Sequence, residues 1–582
     1  MKDTTPDSPR FRPLFQGAAA WAVSAFLLLA AGASEAAESS LADFSRTIVR
    51  ARALAAEIVA GGDLPGLSVA LVEGDRVVWS EGFGFADVEA QAPATAATVY
   101  RVGSISKLFT ALAAMQLLEE GRLDLDRPLP EFLPDLGIAN AFLDEAGPVK
   151  PRQVLSHASG LPREPPVGSY FDDSGADMSA VLRSCRGERL VHPPGRVTKY
   201  SNLGVSLIGT LVERIAGVPF EEHTARRLLE PMGMKSTSFR RGPAVAAALA
   251  KGYMQGPRRS LVPAPVFELG TVAAGNLYST VEDLSRLARM LHGSGEVDGR
   301  RIVKAETLER MAAPQFPSAG GRFGIGFALG ERGGEKSVEH NGAVYGFSSV
   351  FITLRAPKLS LILLANEDVA FGPLGRLTDL IIREALASKR GSEPPPVPPA
   401  LHPARPDALQ GLEGVYRSET ARIELRSEGD RALLVWNGHP VRLAAGPDGT
   451  LVTRDRLLDG DKVSIERDAM GRVTAVKVNA RRFIPFDPAS APAAPREWEK
   501  YAGDYGPRYL PIRVRIREGR LVAECETFEY EPAPREDGSF VFPRGTLYED
   551  EALRFHHDPD GSVKAITLGT MRFTRLPGGA GL

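Results

Sequence analysis

Two cysteines in 582 residues, Cys185 and Cys525, cannot make a disulfide framework, and a single bridge would have to join what read as different domains. Cys-x-x-Cys and His-Glu-x-x-His are both absent, and the nine histidines are mostly scattered. A thiol redox pair and a zinc-hydrolase helix are therefore not expected. The pair His556-His557 with Asp558 reads as an exposed turn, so neither a metal nor a cofactor is expected. Excess charge is missing too: 70 Lys+Arg stand against 72 Asp+Glu, with no conspicuous basic run, which argues against a nucleic-acid partner. Gly-x-Ser-x-Gly occurs nowhere, which removes the nucleophile elbow of α/β-hydrolases.

What is present begins with a targeting pattern. Lys2, Arg10 and Arg12 precede an uncharged stretch from about Gly17 to Ala33, and the small residues that follow include Ala31-Gly32-Ala33 and Ser34-Glu35-Ala36 as candidate cleavage sites. Residues 1–37 thus read as a secretory signal peptide, and the protein as periplasmic or secreted. The alternative is an uncleaved N-terminal anchor over Pro13–Ser34, the one route by which the chain would meet a membrane.

The length suggests several domains. Residues 38–388 read as the first. Phe44, Ile48, Ala51, Ala55 and Ile58 recur at helical spacing, and Leu67–Val72 and Arg76–Ser80 flank a Glu73-Gly74-Asp75 turn as a β-hairpin. Helices are expected from about Val205 to Ala216 and from Val281 to Leu291, and strands over Phe347–Leu354 and Leu359–Leu364. Strands at both ends with helices between imply one antiparallel sheet built from both termini of an α+β domain, able to fold on its own as residues 38–390. Residues 389–407 follow as a proline-rich linker, with seven prolines between Gly391 and Pro406. Beyond it short alternating strands repeat. Gly414-Val415-Tyr416 matches Gly503-Asp504-Tyr505 at an offset of 89, and Phe483 matches Phe573 at 90. Two small antiparallel β-barrels are expected, over 408–488 and 496–580.

The chemistry starts at Gly103-Ser104-Ile105-Ser106-Lys107, which leads into an apolar run. A serine and a lysine three residues apart at a helix start share a face, so the amine can take the hydroxyl proton. Alone, Ser-x-x-Lys is a common accident. Two further elements follow in order: Tyr200-Ser201-Asn202, a phenol and an amide, and His340-Asn341-Gly342 ahead of a strand-like run. The phenol can share the serine's proton, the amide can hold a carbonyl, and a glycine on an edge strand admits a substrate backbone.

Together with Leu155–Pro162, Pro231-Met232-Gly233-Met234 and Ala274–Thr280, these motifs resemble the serine β-lactamase and penicillin-binding-protein superfamily over roughly residues 45–385. The branch they resemble holds class C β-lactamases, D-aminopeptidases, DD-peptidases and family VIII-type esterases. The resemblance implies a β-lactamase-like fold, an antiparallel sheet flanked by helices, with the two barrels (lipocalin-like) behind it as in the D-aminopeptidase layout. It implies Ser104 as nucleophile, Lys107 as base, Tyr200 as proton relay and Asn202 as carbonyl-orienting residue. The N–H groups of Ser104 and Ala343, the latter just past Gly342, would form the oxyanion hole. His157, within Leu-Ser-His-Ala-Ser-Gly, reads as a loop-fixing residue.

His340 departs from the pattern, because the β-lactamases and DD-peptidases usually carry lysine there. A histidine is mostly neutral near pH 7. This favours a D-aminopeptidase-like, peptidase-like or esterase-like activity on a small molecule or short peptide, with peptidoglycan as a further candidate partner. A class C-type β-lactamase or DD-carboxypeptidase is the alternative. An inactive hydrolase-fold binding or scaffold protein is the alternative from another class.

Overall fold

A computed structural model describes residues 42–255, 260–393, 396, 401–525 and 528–577. The expected signal peptide, its alternative as an anchor, and much of the proline-rich linker lie outside these residues. Among the described residues no single helix is long and apolar enough to cross a membrane.

The hydrophobic repeat after the N-terminus forms the helix Ser45–Ala60, which buries Ala51, Ala55 and Ile58. The hairpin follows as Gly66–Glu73 and Arg76–Asp87. These strands join the late ones in a single seven-stranded antiparallel sheet, in the order Ala328–Arg332, Glu335–Val344, Phe347–Leu354, Leu359–Ala365, Gly66–Glu73, Arg76–Asp87, Ala92–Pro93. The sheet is thus assembled from both ends of the domain, with Leu67 opposite Ala365 at the join. Helices Ser45–Ala60 and Phe371–Arg390 cover one face, and the inserted helical region covers the other. Three central strands are buried at every position for that reason.

The helix Ser106–Glu119 runs through the middle of the inserted region. Its sequence is apolar on all sides, and twelve of its residues are buried. The helix stops where Gly121 takes φ +70°.

The helix Phe371–Arg390 ends on Gly391 in the left-handed region. The chain re-enters the described residues as His402–Pro403, which pairs with Ala444–Ala445, so the last part of the stretch read as linker joins the sheet behind it. Eight strands between Gly414 and Phe486 close into a barrel: the first pairs with the last, and His439–Ala445 pairs with Leu451–Arg454. The second copy keeps the strand order around one core, but its strands fall into sheets of four and five, joined at the bridge Tyr505–Arg575. Two of its strands, Ala533–Pro534 and Phe540–Val541, are only two residues long, and Pro534 has no N–H to continue a ladder. The repeat extends to detail. The Tyr416 hydroxyl donates to Leu412 O at 2.6 Å, and the Tyr505 hydroxyl to Tyr501 O at 2.7 Å.

Buried and half-buried ion pairs tie the parts together. Asp63 receives Arg376 of the last catalytic-domain helix and Arg442 of the barrel, each at 2.7 Å. Between the two β units, Glu518 takes Arg417 at 2.5 Å and Arg422 at 3.1 Å. Cys185 and Cys525 are both buried, and no disulfide joins them. His556 and His557 lie at the end of a strand rather than in a turn, with His556 Nε2 2.7 Å from Thr567 Oγ1.

Candidate active site

Ser104 sits in a turn two residues before its helix, rather than in the helix's first turn. Gly103 is the cause. It adopts φ +51°, and a Cβ there would lie 2.9 Å from the Ala343 nitrogen. Only glycine therefore lets the strand Tyr100–Gly103 turn sharply against the strand Glu335–Val344. Gly342 allows the same approach from the other side: a Cβ would meet the Val102 carbonyl oxygen at 2.1 Å. The ladder from Ala328–Arg332 reaches only Glu339, so Asn341 and Ala343 lie on an open edge beside Ser104 and are exposed. The geometry brings the Ser104 and Ala343 backbone nitrogens into one neighbourhood.

Lys107 Nζ lies 3.0 Å from Ser104 Oγ and donates to the Ala274 carbonyl at 2.7 Å. The side chain is 1% exposed. Burial drives its pKa well below the usual lysine value; Arg163 adds to the shift and Glu164 opposes it. An amine so placed can hold a lone pair toward the hydroxyl.

Tyr200 lies across this pair, with Lys107 Nζ 4.8 Å from its ring centre. Burial raises its pKa, and a hydrogen bond with Ser104 only partly offsets this, so the phenol keeps its proton. The ring has further close neighbours. His157 stacks on it at 4.3 Å, and the Arg163 guanidinium lies 5.3 Å from its centre. His157 also accepts the Ser201 N–H on Nδ1 at 3.2 Å, in keeping with a loop-fixing residue, and Phe323 packs edge-on against it.

Asn202 opens the helix Asn202–Ala216, capped by the Ser201 hydroxyl. Its amide donates to Glu164 Oε1 at 2.5 Å. His340 is 5% exposed, and its ring centre is 6.2 Å from that of Tyr200. Nδ1 stands 2.7 Å from the Asn341 carbonyl and must therefore carry the hydrogen. Burial, with Lys107 second, holds its pKa at about 4, so it is neutral at pH 7. Lys107 and Tyr200 thus meet at Ser104 and His340 lies beside Tyr200, whereas the Asn202 amide is engaged by Glu164.

Arg163 and Glu164, which follow Leu155–Pro162 directly, belong to the site and were not read from the sequence. The second β unit packs close by. Tyr509 packs against Tyr345 at 5.6 Å and Phe267 at 5.9 Å, and the Tyr548 and Tyr170 hydroxyls are 2.8 Å apart. Among the described residues no three His, Cys, Asp or Glu gather where they could hold a metal.

Comparison with known proteins bears on the fold and the family. The human protein beta-lactamase-like 1 is 31% identical over 355 residues, which cover 58% of this chain and 69% of that protein. The octameric penicillin-binding protein homologue from Pyrococcus abyssi superposes with a TM-score of 0.54 at 25% identity, over 83% of this chain and 99% of the other. The D-amino acid amidase from Ochrobactrum anthropi SV3, complexed with D-phenylalanine, superposes with a TM-score of 0.50 at 25% identity, over 59% of this chain and all of the other. The Beta-lactamase family model matches residues 51–385, more than half of the chain. With the sheet built from both ends of this region and the shared architecture, the chain belongs to the Beta-lactamase family, a family of serine hydrolases.

Proposed function

We propose that the protein hydrolyses amide or ester bonds through an acyl-enzyme on Ser104. The observation that carries this reading is a buried lysine amine, depressed in pKa, 3.0 Å from a serine hydroxyl. Lys107 takes the Ser104 proton as Oγ bonds to the substrate carbonyl carbon. The carbonyl electrons move onto oxygen, where the Ser104 and Ala343 N–H groups receive the charge. When the tetrahedral adduct collapses, the proton passes from Lys107 through the Tyr200 hydroxyl to the leaving nitrogen or oxygen. Water then releases the acyl group by the same steps in reverse. Tyr200 acts as a relay rather than a phenolate base, because its burial keeps it protonated.

His340 selects the substrate class. A neutral imidazole supplies no cation for the carboxylate of a β-lactam or a peptide C-terminus, which leaves neutral amides and esters favoured. The solved relative bound to D-phenylalanine supports D-amino acid amides as the first compounds to try. The pattern in residues 1–37 supports action in the periplasm or outside the cell, on a small molecule or short peptide, with peptidoglycan a further candidate. A scaffold role is the weaker reading, since it gives no use for a serine, lysine and tyrosine gathered in this geometry.

The test is a panel of D- and L-aminoacyl p-nitroanilides, p-nitrophenyl esters and nitrocefin. The substrates that lack a carboxylate are expected to turn over at least about tenfold better than nitrocefin. His340→Lys is expected to move that ratio toward nitrocefin by about 1–3 kcal/mol, the worth of a charge-assisted hydrogen bond. Efficient nitrocefin turnover, unchanged by the substitution, would restore the β-lactamase reading.

A further inference from the structure

The segment that carries Tyr200 is held from two sides. The catalytic domain holds its backbone: Lys199 N–H donates to His157 O at 2.7 Å, and Asn202 N–H to Arg163 O at 2.8 Å. The second β unit holds it from the other side. Lys199 Nζ lies 2.9 Å from Glu551 Oε1 and donates to the Glu549 carbonyl at 2.9 Å. The two side chains are 1% and 2% exposed. The same Glu551 oxygen accepts the Arg163 backbone N–H at 2.8 Å, and the Thr570 hydroxyl donates to the Glu164 carbonyl at 2.6 Å. One carboxylate from the far end of the chain thus grips both loops that bracket the Tyr200 ring. Phe171, just beyond these loops, is itself part of the β unit's core, 5.4 Å from Phe573.

A buried ion pair is a poor stabiliser compared with apolar residues of the same volume, because both charges lose their hydration. What it does well is fix geometry, since each partner tolerates few arrangements. The proton relay needs such fixing, because displacement by about 1 Å can lower a rate a hundredfold.

We propose that Glu551 is a positioning residue for Tyr200: through Lys199 Nζ and the Arg163 N–H it locks the two loops around the phenol, so that the second β unit completes the active site within the same chain. This rests on the reading of Tyr200 as the relay. Lys199 and Glu551 touch neither Ser104 nor Lys107 among the hydrogen bonds and ion pairs seen, so the effect runs through Tyr200.

The experiment is a double-mutant cycle in the full chain with a p-nitrophenyl ester. Glu551→Gln is expected to lower kcat by about 30- to 100-fold with KM within about threefold. In a Tyr200→Phe background the same change is expected to cause no further loss, which a merely structural role would not give. Losses that multiply in the two backgrounds, or an unchanged kcat, would overturn the proposal. Should Glu551→Gln fail to fold, Lys199→Met with Glu551→Leu leaves no buried charge alone, and the same drop in kcat is expected there; wild-type kcat in that variant would overturn it. Amide hydrogen exchange gives a readout independent of activity. In Glu551→Gln, residues 199–203 are expected to exchange at least tenfold faster while 106–119 stay protected. If the wild type proves inert toward a fluorophosphonate, the hydrolase reading falls. The exchange measurement still decides the clamp, and unchanged exchange at 199–203 overturns it.

Discussion

The residues of the candidate site are tuned by burial more than by charge partners. Lys107, Tyr200, His157 and His340 all shift toward their neutral forms, with desolvation as the largest cause in each. Outside the site, His292 behaves alike: it is held at about 4 by burial and bonded to Ser360 Oγ at 2.9 Å. These histidines make stability depend on pH. In the unfolded chain each binds a proton below about pH 6.5, whereas in the native state His340 and His292 stay neutral down to about 4. Between those values the unfolded state holds more protons, so native stability falls as the pH drops from 6.5 to 4, by at most about 3 kcal/mol for each histidine. Melting temperature followed over this window is expected to decline steeply, and His292→Asn to flatten part of the slope. A flat profile would mean that these rings are not buried neutral.

At the scale of elements, the site depends on two strands and one helix meeting more closely than side chains allow. Their convergence was legible in part. The serine helix, the hairpin, Phe347–Leu354 and the helix from Val281 all follow from hydrophobic period and turn residues, which are local signals. What was not legible was Ser104 lying before the helix, because that depends on Ala343 arriving 240 residues later to meet Gly103. Gly342→Ala tests this meeting. A methyl group 2.1 Å from the Val102 carbonyl must push the strand away and carry the Ala343 N–H with it. Acylation is expected to slow by about a hundredfold, as for the loss of an oxyanion donor. Unchanged acylation kinetics would remove Ala343 from the oxyanion role.

For the molecule as a whole, the internal repeat read at offsets of 89 and 90 holds in structure, down to the paired tyrosine corners at Tyr416 and Tyr505. The two copies have different partners. The first barrel docks on the outer helices through Asp63, Arg376 and Asp459. The second docks on the active-site loops through Glu551, Tyr548 and Tyr509. The expectation that residues 38–390 fold as a self-sufficient unit did not foresee this. Cutting there removes Glu551 from Lys199 and opens the loops around Tyr200 to water. Nothing in the sequence marks the contact. Glu551 carries no motif, and a pairing across 352 residues leaves no periodic trace. The Ser-x-x-Lys pair was legible because its geometry is contained within one turn.

The central claim is that Lys107, its pKa lowered by burial, activates Ser104 in a site completed by Tyr200. The most direct measurement is the rate and position of fluorophosphonate labelling of the full chain near pH 7.5, read by intact mass and peptide mapping. One adduct per chain on Ser104 is expected, absent in Ser104→Ala and at least a hundredfold slower in Lys107→Ala and in Tyr200→Phe, with the double variant little slower than either. No adduct, an adduct on another residue, or wild-type rates after removal of Lys107 would contradict it.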